Sequence, residues 1–148
     1  MLLKHLLDKE LEARALGKPH QIAFFLVRRP VLILLSRSRA HRSKVASVTL
    51  VFQQHAVLEC NLDQKIEPLC GPMGCDLWNK EQWATIFAEN MVIVCTAEIL
   101  YQCLVHSFLT MKQISLLIFD EAHHTKKGHS YAKLVTQPMR AQSSSKPV

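Results

Sequence analysis

An α/β fold, with a parallel sheet covered by helices on both faces, is predicted by three observations. Short, continuous apolar runs of the kind that form strands covered on both faces recur at 22–27 (IAFFLV), 91–95 (MVIVC) and 115–119 (SLLIF). Segments with apolar residues at helical spacing lie between these runs. Parallel neighbours can be joined only through a crossover, and a crossover helix covers one face of the sheet it spans.

Leu3, Leu6, Leu7 and Leu11 repeat at helical spacing, and Gly17 and Pro19 follow, so a first helix is expected to end near Leu16. IAFFLV is then the first strand. Residues 47–60 read as a second helix with Leu50, Val51, Val57 and Leu58 inward, and 65–70 as a weaker strand. Gly71, Pro72 and Gly74 mark a turn, after which Asp76 is expected to cap a helix running through residue 89, with Trp78, Trp83 and Phe87 on or near its apolar side. Two tryptophans so placed belong to a core or an interface more readily than to a base-stacking site. MVIVC is the second buried strand. Thr96 is placed to cap the next helix, with Glu98 in its first turn and Ile99, Leu100, Cys103, Leu104 and Leu109 inside. SLLIF, the third buried strand, ends on Asp120 and Glu121. The stretch 137–148 (QPMRAQSSSKPV) has few large apolar residues and is expected to be a disordered tail.

Composition narrows the function classes. With 148 residues, 49% hydrophobic and 20% charged, the chain can build one domain with a real core. The net charge of +6 is concentrated: Arg28, Arg29, Arg37, Arg39, Arg42 and Lys44 fall within 28–46, a stretch without an acid, and the remainder balances 12 cations against 12 acids. A nucleic-acid-binding surface predicted from charge alone would therefore be the 28–44 segment. No window reaches the ~18 apolar residues that a membrane span needs, so no membrane partner is expected. Asp8, Glu10 and Glu12 lie where a signal or transit peptide avoids acids, which points to a cytoplasmic or nuclear protein, not a secreted one. Five cysteines, an odd number without the close pairs of a zinc site, are expected to be reduced thiols, with Cys95 and Cys103 packed in the core.

The chemistry sits in SLLIFDEAHH. A carboxylate held at a strand end can hold Mg²⁺, usually through water, while the next one orients or deprotonates an attacking water, and nucleotide hydrolysis needs both roles. In open α/β sheets the carboxyl ends of strands are where ligands bind.

The tetrad Asp120-Glu121-Ala122-His123 resembles the Walker B element of superfamily 2 helicases. The blocks FFLV, SVTLVFQQHAVLECNL, LCGPMGCDLWNKEQW, MVIVCTAEIL and ISLLIFDEAHHTKKGHSYA resemble, in content and order, the helicase region of fungal Dicer-like proteins. The resemblance implies a partial RecA-like lobe over 1–136, drawn from an RNA-stimulated ATPase with ATP and Mg²⁺ as cofactors and double-stranded RNA as partner. By it, Asp120 engages the Mg²⁺ of the nucleotide, Glu121 acts on the water and His123 couples the nucleotide to the rest of the machine. Ser47 falls where motif Ia meets nucleic acid, and Thr96 falls in motif Ib, which touches the RNA backbone.

The sequence contains no G-x-x-x-x-G-K-[ST] phosphate loop. The resemblance implies that this loop lies upstream and that the second lobe and the ribonuclease III domains lie beyond Val148, which makes the chain a fragment inactive by itself. In the resembled family the strand matching IAFFLV passes almost directly into SVTLVFQQ. The stretch 28–46 therefore reads as a foreign insertion, most simply a retained intron translated in frame. The competing reading is a non-catalytic nucleic-acid-binding fragment that uses the basic 28–44 segment.

Overall fold

In the computed structural model, which describes residues 2–27, 39–120 and 134, the chain runs α1 (Leu2–Ala15), β1 (Ile22–Val27), α2 (Arg39–Asn61), β2 (Ile66–Leu69), α3 (Lys80–Glu89), β3 (Val92–Thr96), α4 (Ala97–Val105) and β4 (Ile114–Phe119). The four strands form one sheet in the order β2-β3-β1-β4, every described pair parallel. This is the α/β class read from the sequence.

Side-chain alternation along each strand divides the core in two. Ile22, Phe24 and Leu26 of β1 join Ile93 and Cys95 of β3 on one face, beneath Trp83 and Phe87 of α3, Leu100 and Cys103 of α4, and Leu134. Ala23 and Val27 join Val92 and Val94 on the other, beneath Leu7 of α1 and Val51 of α2. The central strands β1 and β3 thus have apolar residues at every position but the last of β3, Thr96, because both of their faces are covered. Aromatic rings consolidate the first face: Phe24 meets Phe87 edge to face at 6.3 Å, and Trp83 stacks on Phe87 at 5.4 Å and on Phe108 at 6.2 Å.

Local chemistry sets the element ends. After α1, Gly17 takes φ +78, with its N–H donating to the Arg14 carbonyl and that of Lys18 to the Ala13 carbonyl. This 5→2 and 6→1 pair satisfies carbonyls that the helix end leaves open, and its left-handed residue favours glycine. The pair Gly17-Lys18 is therefore a helix stop. Helix α3 starts at Lys80 and not at Asp76. Asn79 and Gln82 form a reciprocal capping box, each accepting a backbone N–H from the other, while Cys75–Leu77 is a separate 3-10 turn. Trp78 consequently precedes the helix, half-buried with its ring 5.1 Å from that of buried Trp83. Thr96 does occupy the N-cap position of α4, with extended backbone, but its side chain makes no cap hydrogen bond.

Three inward assignments change. Leu11 is exposed, and its neighbour Glu10 is nearly buried because its carboxylate accepts the Gln21 N–H at 2.8 Å. Val57 is also exposed. His55 is partly buried, its ring donating to the Ile66 carbonyl, and Leu58 packs against the core. Strand β4 is half-buried throughout, apart from exposed Ser115, and not covered like β1 and β3. The reason is its place in the order: among the described residues it pairs with β1 alone. A register shift lies between Ile22 and Ala23, which pair with Ile114 and Leu116. The intervening Ser115 is the extra residue of a bulge, which sends Ile114 and Leu116 to opposite faces.

Residues 28–38 of the stretch read as an insertion, and the 137–148 tail, lie outside the described residues. Residues 39–46 form the first two turns of α2, continuous with the helix that carries Val51.

Candidate functional site

The register aligns the strand ends. Val27 pairs with Thr96 and Leu26 with Phe119, and the Asp120 N–H donates to the Leu26 carbonyl at 3.0 Å, extending the β1–β4 ladder by one residue. Thr96, Val27 and Asp120 therefore form one row across the carboxyl edge. At about 4.8 Å per strand, Thr96 and Asp120 stand roughly 10 Å apart. The chain leaves β1 for α2 on one face and leaves the adjacent β3 for α4 on the other. Divergence of this kind opens the crevice in which doubly wound sheets bind ligands.

The two ends of the row differ in environment. Thr96 is 7% exposed. Asp120 is half-buried and pinned by its backbone, a rigid mount for a carboxylate. A hard oxygen ligand so placed suits Mg²⁺, which binds through one or two carboxylates plus substrate phosphates. No group of three metal-ligating side chains occurs among the described residues.

Glu121 and His123, the other candidates of the tetrad, lie outside the described residues. Ser47 lies in α2 one turn before buried Val51, on the carboxyl-edge side. Helix α2 has 23 residues and is about 34 Å long, against about 20 Å for β1, so its first turns overhang the carboxyl edge. The structure thus brings the backbones of Asp120, Thr96 and Ser47 to one edge. The helix begins at Arg39 and not at residue 47 as its apolar spacing suggests, and these added turns make the overhang.

The chain also carries thiols that the site does not use. All five cysteines are free, and only Cys60 is exposed. Burial, reinforced by Cys103 and Cys75, pushes the Cys95 thiol well above its ordinary range. Burial and Cys75 push Cys103 up to about 12. Burial also raises Cys70, partly offset by a hydrogen bond from the Met73 backbone. These groups fold neutral, so the stability they lend is present below the ordinary thiol pKa and is lost as pH rises from there towards 12. At pH 8, iodoacetamide should modify Cys60 alone in the folded protein and all five after denaturation, as counted by intact mass. Rapid native labelling of Cys95 or Cys103 would contradict the buried assignment.

No family model matches the chain. Comparison with curated proteins places the same 148 residues among long relatives. The chain is 51% identical over 148 residues to Dicer-like protein 1 of Aspergillus terreus, a match covering 99% of this chain and 9% of that protein. It is 54% identical over 135 residues to Dicer-like protein 1 of Aspergillus niger, covering 91% and 8% respectively. Against Dicer-like protein 1 of Chaetomium globosum it is 51% identical over 135 residues, covering 91% and 7%. The chain spans less than a tenth of the length of each. Among the described residues, no helix is long and apolar enough to cross a membrane.

Proposed function

We propose, on the premise that this chain is homologous to one segment of the fungal Dicer-like proteins, that it is part of an ATP-dependent helicase lobe whose nucleotide turnover serves the processing of double-stranded RNA. The observation that carries the reading is the position of Asp120: an acidic pair begins where a strand of a parallel sheet ends, next to the strands β1 and β3 that are followed by helices on opposite faces, the arrangement in which such sheets bind ligands. In this reading Asp120 holds the Mg²⁺ of bound ATP, and the ion supplies charge neutralisation on the phosphates. Glu121 orients and deprotonates the attacking water. His123 links the nucleotide site to the rest of the lobe, and Ser47 and Thr96 lie along the path of the RNA backbone. The helicase assignment, the ATP and Mg²⁺ ligands and the RNA contacts rest on the resemblance of the motifs joined to this placement.

Alone, the chain is expected to turn over no ATP. It carries the tetrad without the phosphate loop, and each charge-stabilising part contributes separately to the transition state. A chimera tests the assignment: the matching segment of a full-length Dicer-like relative is replaced by this chain, and ATP hydrolysis is measured with and without double-stranded RNA. RNA-stimulated turnover supports the helicase reading. A folded chimera that ignores ATP and binds RNA with a steep loss of affinity as salt rises would favour a basic nucleic-acid-binding arm at 28–44 instead.

A further inference from the structure

At the entry to β2 the ladder leaves one carbonyl to be answered from another element. The Lys65 carbonyl accepts the Val92 N–H at 3.4 Å, and successive carbonyls of a strand point to opposite sides, so the Ile66 carbonyl turns away from β3. His55 of α2 answers it: Nε2 of its partly buried ring donates to that oxygen at 3.1 Å. Val51 and Leu58 give α2 apolar contact with the same layer of the core. Apolar contact has no direction of its own, whereas a hydrogen bond fixes one atom against another.

Two lengths start from this bond. Ser47 precedes His55 by eight residues with Val51 midway, so the three share one row of α2, and Ser47 lies about 12 Å back along the helix at 1.5 Å per residue. In the sheet, Ile66 pairs with Val92, and Thr96 is four residues further along β3, about 13 Å at 3.3 Å per residue. Helix α2 runs from the carboxyl edge back to the start of β2, opposite to the strands, so the two lengths are measured in the same direction. They end at the same height.

We propose that His55 is a positioning residue for the RNA path: its hydrogen bond to Ile66 sets how far along the sheet α2 sits and so holds Ser47 level with Thr96. The proposal rests on the reading of Ser47 and Thr96 as RNA contacts. His55 itself touches no RNA.

The test uses the full-length chimera and follows ATP hydrolysis as double-stranded RNA is titrated. His55→Leu removes the donor and should raise the RNA concentration for half-maximal stimulation by about fivefold or more, with the rate at saturating RNA within about twofold of wild type. His55→Gln retains an N–H donor and should restore half-saturation to within about twofold. In a Ser47→Ala background, His55→Leu should add less than about twofold, because the contact it positions is already gone. A Ser47→Ala chimera with unchanged half-saturation would overturn the RNA reading and this proposal with it. A shift for Ser47→Ala with none for His55→Leu would overturn the positioning role alone, as would additive effects of the two changes or a parallel fall in the saturated rate.

Discussion

Asp120→Asn or Glu121→Gln, placed in the full-length chimera, is expected to remove RNA-stimulated ATP hydrolysis, with turnover falling by about a hundredfold or more. The two changes should separate when nucleotide binding is measured. Asp120 is assigned to the metal, so its neutral amide should weaken the affinity for Mg²⁺–ATP along with the rate. Glu121 is assigned to the water, so its amide should leave binding within about threefold of wild type while the chemical step is lost. The backbone of Asp120 is tied to Leu26 through its N–H, a bond that neither substitution touches, so loss of fold is not the expected cause. Turnover surviving either change would show that the acidic pair does not serve the hydrolytic step.

The largest effect on stability is expected from Phe24→Ala. Phe24 is 2% exposed at the centre of β1, packed edge to face on Phe87 and within the cluster that ties α3 and α4 to the sheet. Truncating a buried phenylalanine costs about 3–5 kcal/mol, through the transfer free energy lost and the cavity left behind. That is a large share of the roughly 5–15 kcal/mol by which a domain is stable. Phe52→Ala on α2 is the matched control, since Phe52 is 45% exposed, and its cost should stay within about 0.5 kcal/mol. Urea unfolding with a shared slope would measure both. Equal midpoints for the two variants would contradict the core described here.

The central sheet was legible because burial on both faces leaves an unmistakable record, in that IAFFLV and MVIVC have no polar position to disguise. What escaped was decided by partners distant in sequence. The start of α3 turned on whether Asp76 or Asn79 finds a side chain three residues on that can answer it, and Gln82 answers Asn79. Glu10 took a buried place that the leucine repeat assigned to Leu11, because the Gln21 N–H needed an acceptor. The exposure of β4 depended on strand order, which no local pattern encodes. Of the candidate site, the strand-end position of Asp120 could be read directly. Its alignment with Thr96 and Ser47 required the register and the length of α2.

The strand order also sets how this sheet can form in time. Strand β1 lies beside β3 and β4, and β3 separates it in the sheet from β2, its nearest described strand in sequence. Ala23 meets Val92 and Leu26 meets Phe119, partners about 70 to 90 residues apart, so the centre of the sheet closes only through long loops. During synthesis, IAFFLV leaves the ribosome before β3 and β4, the two strands it pairs with among the described residues, and stays an apolar segment without those ladders until they follow. Folding should therefore be slow relative to a helical chain of this length, and the waiting strand is the segment through which a nascent or interrupted chain would aggregate or engage a chaperone.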